Sequence, residues 1–397
     1  MRIGILLPQI SKGGAERAAT RISKILAENH EIYIIVFAQE CPIAYDFAGK
    51  LISLKVPSSK GILNKFISSV KRIKKLKRLK KDLNLDAVIS FMQSPNYVNA
   101  KSKIASCKTI TSIRNFIFVE KKQDTFSKLE LQTTKTIIKN SDKIICVSRE
   151  LRDSIYDNFS NIKNIAKKIV VLYNPYNADE IMHLSNDDKK CKFYYNKNVI
   201  KFCTIGRIMH QKGYWNLIKS FYLLNKKYNN TMLFIIGRKE DNSKINDLID
   251  KLNLKDKVIL LGQMDNPFKV ISKCDVYVLS SLFEGFPNAL VEAMICGLPV
   301  IASNCQSGPK EILDDVSELN INGVYKAKYG ILYENYPDFE ENYSPDITKE
   351  HQILADAMEL LYKNKDLRDY YKKQSIERAK VFNYDTTRDK LEKILNS

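Results

Sequence analysis

The segment Gly206-Arg207-Ile-Met-His-Gln-Lys212-Gly213 places two cations five residues apart between two glycines. It follows an apolar run at residues 201–205 that is typical of a buried strand. Arginine supplies a rigid fork of N–H donors and lysine a mobile point charge, so the two together suit a diphosphate. Two solvated loop cations would produce the same pattern, and the segment alone does not decide between these interpretations.

A second segment, residues 280–300, carries two carboxylates, Glu284 and Glu292. A strand is predicted to end near Leu279, a loop rich in Gly, Pro and Asn follows, and a helix is predicted over Asn288–Ile295. The first-turn N–H groups of such a helix lack partners within the helix and can bind ligand oxygens. Carboxylates bind vicinal hydroxyls, as the acidic residue of dinucleotide folds binds a ribose. This loop therefore suits a sugar nucleotide.

The two halves of the chain begin alike. A strand at residues 3–7 leads into Gly13-Gly14 and a helix from about Ala15, and a strand at residues 202–205 leads into Gly206, Gly213 and a helix from Tyr214. A strand, a glycine loop and a helix N-terminus form an arrangement that can bind an anion. The dinucleotide and P-loop fingerprints are absent from both loops, and a tight turn of any α/β unit would look the same. Residues 260–264, another strand end, offer backbone groups that could read a base edge.

Together these motifs resemble the retaining GT-B glycosyltransferases of family 4, which transfer sugars from nucleoside diphosphate sugars. Glu284 to Glu292 matches the family's Glu-x7-Glu signature, and Gly206-Arg207 with Lys212-Gly213 matches its phosphate motif. Gly13-Gly14-Ala15-Glu16-Arg17 looks like its N-terminal glycine loop, and Tyr173-Asn174-Pro175 looks like its interdomain junction. The resemblance covers nearly the whole chain.

The resemblance implies a role for each matching residue. Arg207, Lys212 and Glu284 would be catalytic: the two cations neutralise the leaving diphosphate, and Glu284 holds hydroxyls of the donor sugar. Glu292 would bind the ribose, and the backbone of Met264 would contact the base. No enzyme nucleophile is implied. The rest of the expected donor site is Gly13, Gly14, Gly285, Phe286, Asn288 and Leu290, and the expected acceptor site is Glu16, Arg17, Arg114 and Asn115.

Two positions depart from the family pattern. Many members have a histidine near the reacting sugar, where this sequence has Ser112-Ile-Arg114-Asn115, so Arg114 is expected to face the donor sugar or an acceptor phosphate. The family's Gly-x-Gly after the strand at residues 231–236 is Gly237-Arg238-Lys239 here, which adds positive charge near the donor. The sequence contains no Asp-x-Asp. With Arg207 and Lys212 supplying positive charge, we expect no metal cofactor.

The elements that must position these residues alternate in type. Apolar runs separated by helical-period segments predict an α/β fold of two Rossmann-like, doubly wound parallel-sheet domains, which in the GT-B architecture face a central cleft. Predicted strands cover residues 2–7, 31–37, 87–91, 108–113, 143–147 and 169–172, and then 201–205, 231–236, 258–261, 276–279 and 299–302. Residues 314–349 are expected to form a surface excursion with one buried strand near residues 330–333.

Three domain segments are expected. Residues 1–180 form a basic, acceptor-binding domain, and residues 181–375 form a domain that binds the nucleotide sugar. Residues 376–397 form a C-terminal helix that packs back on the first domain.

Composition excludes several classes of protein. Of the 397 residues, 44% are hydrophobic and 27% are charged, which argues against disorder, and no stretch reaches 18 consecutive apolar residues. The apolar run at residues 1–8 has no cleavage site of small residues, so it is expected to be a first strand of a cytoplasmic protein. The eight cysteines form no Cys-x-x-Cys pair, which favours reduced thiols over disulfides or zinc.

Charge is distributed unevenly along the chain. Residues 1–180 contain 32 Lys and Arg against 16 Asp and Glu, whereas residues 181–397 contain 32 against 29. Within the first half, residues 60–81 contain ten basic residues, no acidic one, and apolar residues three or four apart. Three interpretations fit this basic amphipathic helix: a surface helix packed on its own domain, an anionic-membrane contact, or a nucleic-acid patch. Nucleic-acid binding is least favoured, because no helix-turn-helix, zinc-finger or RNP-like signature accompanies the helix.

The leading hypothesis is a cytoplasmic, peripheral membrane glycosyltransferase that moves a sugar to a lipid-linked polyprenyl-diphosphate saccharide. Its donor would be a UDP-hexose or UDP-N-acetylhexosamine. Uridine is favoured over guanosine only because it is more frequent in the family. A family member with a soluble sugar acceptor is the first alternative, and it would not need the basic helix. A non-enzymatic nucleic-acid-binding protein is the remote alternative.

Overall fold

The structure is a computed structural model that describes residues 1–114, 125–186, 198–238, 243–337 and 340–397. The chain divides into two compact units. Unit 1 contains Met1–Tyr176 and Tyr384–Ser397, and unit 2 contains Asn177–Asn383. Each unit is built on one seven-stranded sheet. The prediction of two Rossmann-like α/β domains is therefore confirmed.

Unit 1 has an entirely parallel sheet in the strand order β3-β2-β1-β4-β5-β6-β7. Its strands are β1 Arg2–Leu7, β2 Glu31–Val36, β3 Lys50–Ser53, β4 Ala87–Phe91, β5 Lys108–Ile113, β6 Lys143–Cys146 and β7 Ile169–Val171. Its helices up to the boundary are α1 Gly14–Leu26, α2 Ile62–Asp82, α3 Gln93–Lys101, α4 Thr125–Asn140, α5 Arg149–Phe159 and α6 Ile165–Lys168.

Helices cover both faces of this sheet. On one face, Ile5 and Ile34 share a cluster with Ile22 of α1. On the other face, Leu6 shares a cluster with Leu76 of α2. Burial on both faces explains why the central strands are continuous apolar runs rather than alternating ones.

Unit 2 has the strand order β10-β9-β8-β11-β12-β14-β13, parallel except for β13, which runs antiparallel to β14. Its strands are β8 Ile200–Ile205, β9 Thr231–Ile236, β10 Val258–Gly262, β11 Val276–Leu279, β12 Val300–Ser303, β13 Val324–Ala327 and β14 Gly330–Tyr333. Its helices are α7 Ala178–Ser185, α8 Tyr214–Lys227, α9 Ser243–Lys251, α10 Phe268–Ile271, α11 Asn288–Ile295, α12 Pro309–Leu313, α13 Lys349–Lys363 and α14 Lys365–Ala379.

The last helix, α15 (Tyr384–Asn396), belongs to unit 1, where Leu391, Ile394 and Leu395 join the core. It is further held by an ion pair from Arg388 Nη2 to Glu28 Oε1 at 2.8 Å and by a hydrogen bond between His30 Nε2 and Glu392 Oε1 at 2.8 Å.

Both predicted domain limits shift in the structure. The first unit ends at Tyr176 rather than at residue 180, because α7 already belongs to unit 2. The return to unit 1 begins at Tyr384 rather than at residue 376. The reason is that Arg378 of α14 is buried in unit 2, where its Nε donates to Ile312 O at 2.9 Å.

Every predicted strand occurs, with ends displaced by no more than one residue. Two strands were missed, β3 and β13, and both lie at a sheet edge with largely exposed or half-buried side chains. No disulfide joins cysteines within the described ranges. Over the same ranges, no helix combines the length and the apolar character that crossing a membrane requires.

His351 joins α13 to α8 in the interior of unit 2. Its Nδ1 accepts a hydrogen bond from the Thr348 amide at 2.9 Å, so the proton is on Nε2, which donates to Asn216 Oδ1 at 3.0 Å. Burial, reinforced by the charge of Lys219, lowers the pKa of His351 from 6.5 to about 4. A histidine whose pKa is lowered on folding stabilises the native state above its unfolded pKa, and that contribution is lost as pH falls from 6.5 towards 4.

We expect unit 2 to lose about 2 kcal/mol of unfolding free energy between pH 7 and pH 4.5 through His351. His351→Gln should remove this part of the pH dependence, and His183→Gln, at an exposed histidine, should not. Urea unfolding followed by the fluorescence of Trp215, the only tryptophan and a buried residue of α8, measures the effect. Equal pH slopes in wild type and His351→Gln would contradict the assignment.

Candidate functional site

The predicted motif loops lie where the strand order of each sheet reverses. In unit 2 this point is between β8 and β11, and in unit 1 it is between β1 and β4. Loops that leave such a strand pair diverge, and ligands of open α/β sheets bind beyond the carboxyl ends of these strands. Arg207 and Lys212 follow β8, Glu284 follows β11, and Gly13 and Gly14 follow β1. The topology therefore brings the predicted motifs to the ligand-binding edge of each sheet.

The loop after β8 is compact and requires its glycines. A Cβ on Gly206 would lie 2.9 Å from Lys212 Cε and 2.9 Å from the Tyr214 hydroxyl, which donates to Gly206 O. Gly213 has φ of 58°, and a Cβ there would lie 2.6 Å from Ser280 O. Arg207 is exposed, whereas the Lys212 side chain is only 16% exposed. The two predicted cations thus occupy different environments.

Lys212 and Glu284 form a short ion pair, with Nζ 2.6 Å from Oε1. The Glu284 side chain is 7% exposed. Gln211, which sequence reasoning did not single out, donates from Nε2 to Phe283 O at 2.9 Å and to Glu284 Oε2 at 3.3 Å. Both carboxylate oxygens are therefore engaged, and a diphosphate at this loop would share the ammonium with Glu284.

Helix α11 begins at Asn288, as predicted, after Pro287, which supplies no side-chain cap. The Leu290 amide donates to Pro287 O at 3.0 Å. The N-terminal end of α11 also carries the positive end of the helix dipole, which favours an anion. Glu292 and Leu290 are buried in the helix, and Asn288 is half-buried. The Phe286 ring is buried against Phe382, with centroids 5.5 Å apart.

A third loop joins this site, and sequence reasoning missed it. Ser307 has φ of 66°, and its Oγ donates to Gly285 O at 2.7 Å. Gly308 has φ of 100°, and a Cβ on it would lie 2.6 Å from Pro287 Cδ. These contacts fix the loop before α11 from the side of β12. The Ser-Gly-Pro sequence at 307–309 was the available signal.

Three glycines pack backbone against backbone at the ends of β8, β9 and β10. The Gly237 amide donates to Gly262 O at 2.9 Å, and a Cβ on Gly237 would lie 1.8 Å from Gly206 O. Beside them lies an open pocket of about 520 Å³, whose lining includes Ile208 and Leu260. Met264, the predicted base contact, is half-buried just beyond Gly262. Lys239 lies outside the described residues.

In unit 1, the glycine loop is closed by its own glutamate. Ser11 Oγ donates to Glu16 Oε1 at 2.8 Å, and a Cβ on Gly13 would lie 2.3 Å from Glu16 Oε2. Gly14 is the first residue of α1, so the buried Glu16 lies in its first turn, where the helix dipole stabilises a carboxylate. Glu16 thus shapes the loop, and its contact with an acceptor stays a prediction.

The predicted acceptor cations of unit 1 are held by aromatic rings and amides. Arg17 lies over the Tyr45 ring at 5.3 Å, and Arg114, just after β5, lies over the Phe91 ring at 5.5 Å. Arg114 also donates to Asn174 Oδ1. Burial lowers the pKa of Arg114 to about 10, and Tyr176 and Glu16 oppose that shift, so the side chain stays charged at neutral pH. Asn115 lies outside the described residues.

The segment predicted as the interdomain junction is fixed to unit 1 residue by residue. Lys390 of α15 lies over the Tyr173 ring at 5.4 Å, and Arg114 donates to Asn174. Arg21 of α1 donates to Pro175 O at 3.2 Å and lies over the Tyr176 ring at 4.9 Å. Three cations therefore hold four consecutive residues directly before the unit boundary.

Met92, which follows β4 at the strand reversal, has φ of 74° and ψ of 159°, a conformation that costs energy for a residue other than glycine. Neither adjacent residue, Phe91 or Gln93, is a glycine or a turn former, so the sequence did not reveal it. In the described part of the chain, no three His, Cys, Asp or Glu side chains are grouped as metal ligands. The predicted independence of metal stays a prediction.

Two protein-family models match the chain. The model described as Glycosyltransferase Family 4 matches residues 12–180, and the model described as Glycosyl transferases group 1 matches residues 186–329. The first match lies in unit 1 apart from its last four residues, and the second match lies in unit 2.

Characterised and uncharacterised relatives are similar over most of their length. An uncharacterized glycosyltransferase of Methanocaldococcus jannaschii is 35% identical over 330 residues, covering 79% of this chain and 80% of that protein. The N-acetylgalactosamine-N,N'-diacetylbacillosaminyl-diphospho-undecaprenol 4-alpha-N-acetylgalactosaminyltransferase of Campylobacter jejuni is 26% identical over 387 residues, covering 96% and 95%. Among solved structures, Anabaena HepE in complex with UDP and glucose superposes with a TM-score of 0.72 at 18% identity, covering 100% of this chain and 99% of that one.

We expect Gly213→Ala to destabilise unit 2 by about 2–3 kcal/mol, because the left-handed conformation costs about 1–2 kcal/mol and the new Cβ meets Ser280 O as well. Gly323→Ala is the matched control: its φ is 78°, but nothing lies within 4 Å of a Cβ there, so only the conformational cost applies. Urea unfolding of both variants measures the difference. Equal losses of unfolding free energy in the two variants would mean that the backbone at residues 213 and 280 moves apart without cost.

Proposed function

This chain belongs to the glycosyltransferases of family 4 and group 1, and from that premise we propose that it transfers a sugar with retention from a nucleoside diphosphate sugar to a lipid-linked saccharide. The observation that carries the proposal is the Lys212–Glu284 ion pair at 2.6 Å, placed at the strand reversal of unit 2 beside the N-terminus of α11. A cation, a carboxylate and a helix N-terminus together match a ligand that carries both phosphates and hydroxyls.

In the proposed mechanism, the cations act on the leaving group. Lys212 and Arg207 balance the charge that develops on the diphosphate as the sugar departs, and the α11 amides bind its oxygens. Glu284 accepts hydrogen bonds from sugar hydroxyls, and Glu292 does so from the ribose. The backbone at Met264 contacts the base. No protein nucleophile and no metal ion take part.

The proposed donor is a UDP-hexose or a UDP-N-acetylhexosamine. The HepE complex with UDP and glucose supports the uridine nucleotide by analogy. The proposed acceptor is a saccharide on a polyprenyl diphosphate, which agrees with the name of the Campylobacter jejuni relative. The excess of cations over acids in residues 1–180 supports an anionic acceptor and an anionic surface around it.

The proposed place of action is the cytoplasmic face of the membrane, contacted through α2. Part of this helix packs on its own unit. Arg72 is buried and donates to Val56 O at 3.1 Å, and Lys75 donates to Leu54 O at 2.7 Å. Lys80 is buried near Ser102 O, and burial lowers its pKa to about 8. The buried Arg72 and Lys80 are therefore not available to lipid headgroups, and the exposed Lys75 shares its ammonium with a backbone carbonyl.

The first two turns of α2 are different. Ile62 is 91% exposed, Leu63 72%, Phe66 67% and Ile67 41%. Exposed lysines follow further along the helix, and spacing by three or four residues aligns Leu63 and Ile67 with Lys74, Lys77 and Lys81. An apolar end followed by cations on one face suits an anionic bilayer: the apolar turns enter the headgroup region and the lysines meet lipid phosphates.

Transfer should be detected by incubating the protein with single nucleotide sugars and a polyprenyl-diphosphate saccharide, followed by chromatography and NMR of the product. We expect one donor to be used, with its anomeric configuration retained. Lys212→Ala and Glu284→Ala should each lower kcat/KM by about 10²- to 10³-fold, and Glu292→Gln should act chiefly on the KM for the donor. Lys365→Ala, at an exposed lysine of α14 paired with Asp369, is the control. Inversion of configuration, or full activity of Lys212→Ala, would contradict the mechanism.

Activity should persist without divalent metal, because Arg207 and Lys212 supply the positive charge that a metal ion would otherwise provide. The assay is the same transfer reaction in EDTA, compared with reactions supplemented with Mg²⁺ or Mn²⁺. Loss of transfer in EDTA that either metal restores would show that the two cations do not suffice.

Membrane contact is tested by liposome co-sedimentation with two variants that leave the packed cations intact. Replacing Leu63, Phe66 and Ile67 with Ser removes three of the four exposed apolar side chains at this end. Replacing Lys74, Lys77 and Lys81 with Gln removes the aligned cations. The lysine variant should bind anionic vesicles on the order of 100-fold more weakly, since each lysine contributes about 1 kcal/mol.

The control for the apolar variant replaces Ile376 and Val381 of unit 2 with Ser, because these residues are 45% and 43% exposed. Both α2 variants should raise the KM for a lipid-linked acceptor and leave that for a short water-soluble analogue unchanged. Unaltered vesicle binding by both variants would limit α2 to packing on its own unit, and unaltered KM values would favour a soluble acceptor.

A further inference from the structure

Gln211 occupies a short 3-10 turn, His210–Lys212, between the two halves of the glycine loop after β8. Its side-chain Nε2 donates to Phe283 O at 2.9 Å and to Glu284 Oε2 at 3.3 Å. The backbone carbonyl of Phe283 can only accept a hydrogen bond, so the amide orientation of Gln211 is determined by its partner. The group that faces Glu284 is therefore a donor.

The backbone around this side chain is also bound to the loop after β11. The Leu282 amide donates to Gln211 O at 2.8 Å, and Ser280 Oγ donates to Lys212 O at 2.8 Å. The Glu284 amide donates to Gln306 O at 3.1 Å, which ties the same loop to its other neighbour. The backbone at Gln211 therefore cannot shift without breaking several hydrogen bonds.

We propose that Gln211 is a positioning residue that fixes the Glu284 carboxylate for the donor sugar, an inference that rests on the proposed function. Lys212 holds Oε1 at 2.6 Å and Gln211 holds Oε2, so the carboxylate plane has one orientation. The ammonium is mobile and attracted to a diphosphate, whereas the amide is neutral and bound to the Phe283 carbonyl. When Lys212 turns to the diphosphate, Gln211 keeps Glu284 from following it.

The separate roles of Lys212 and Gln211 have a measurable consequence. A displacement of about 1 Å in a group that aligns the substrate can lower the rate on the order of 100-fold. Gln211→Glu keeps the shape of the side chain but places a second carboxylate beside Glu284. The two repel when both are ionised, and protonation of either one restores a donor between them. Gln211→Met removes the donor at every pH.

The experiment compares kcat/KM from pH 5.5 to 8.5 for wild type, Gln211→Glu and Gln211→Met. We expect both variants to lose roughly 100-fold at pH 8, and only Gln211→Glu to recover, by about tenfold or more relative to wild type, as pH falls to 5.5. Gln352→Glu is the matched control, because Gln352 of α13 also donates to a carboxylate, Asp356 Oδ1 at 2.7 Å, on the surface. It should keep the wild-type profile.

A second measurement does not depend on catalysis. The unfolding free energy of Gln211→Glu, relative to Gln211→Met, should fall as pH rises from 5.5 to 8, since the repulsion appears only on ionisation. If the wild-type protein transfers no sugar from any donor, the proposed function fails and this stability difference alone decides the contact. Wild-type kcat/KM in both variants, or equal losses without recovery at low pH, would overturn the positioning role.

Discussion

Lys212 and Glu284 are 72 residues apart in the chain, and the arrangement of the unit 2 site depends on their contact. Removing a largely buried pair from water is unfavourable, and the mutual attraction offsets that cost only if further hydrogen bonds satisfy both groups. Gln211 provides such a bond, from its Nε2 to Glu284 Oε2 at 3.3 Å. Loss of either partner would leave the other charge buried and unpaired, so the same contact that suits a ligand also holds two loops together.

The cations of unit 1 fall into two groups that net charge does not distinguish. Arg114 donates to the side chain of Asn174 in the junction segment. Arg72, Lys75 and Lys80 of α2 donate to backbone carbonyl oxygens of their own unit, and Arg21 donates to the backbone carbonyl of Pro175. Such cations complete the hydrogen bonding of irregular backbone. The exposed lysines of α2 are the group left for an anionic surface.

The sequence predicted the central strands and the motif loops accurately because both depend on local patterns. Buried parallel strands are apolar runs, and glycine loops with paired charges have recognisable spacing. Edge strands β3 and β13 were missed because their partly exposed residues carry no such run. Gln211 was missed for another reason: its contacts join distant loops, and a glutamine in a loop has no pattern of its own. Ser307 lies in a recognisable turn sequence, but nothing local to it shows that its hydroxyl bonds Gly285 O.

The basic helix α2 also shows what local sequence patterns leave undetermined. Its helical period and its charge were visible in the sequence, and the structure places a helix at Ile62–Asp82. Periodicity could not show which lysines turn inward, because a lysine stem packs on apolar surface while its head group bonds a carbonyl or remains in water. The packed interpretation and the exposed interpretation each describe one part of the same helix.

The return of α15 to unit 1 affects how the protein can fold during its synthesis. Domains usually fold in order as they leave the ribosome. Here Leu391, Ile394 and Leu395 complete the core that Ile5 and Ile34 begin, so unit 1 keeps an uncovered apolar face until residues 384–397 have been made. Unit 2 lies wholly within one continuous stretch of chain, so its core does not depend on a segment that is synthesised later. The second unit can therefore finish folding before the first, and the nascent first unit is the stage at which a chaperone would be needed.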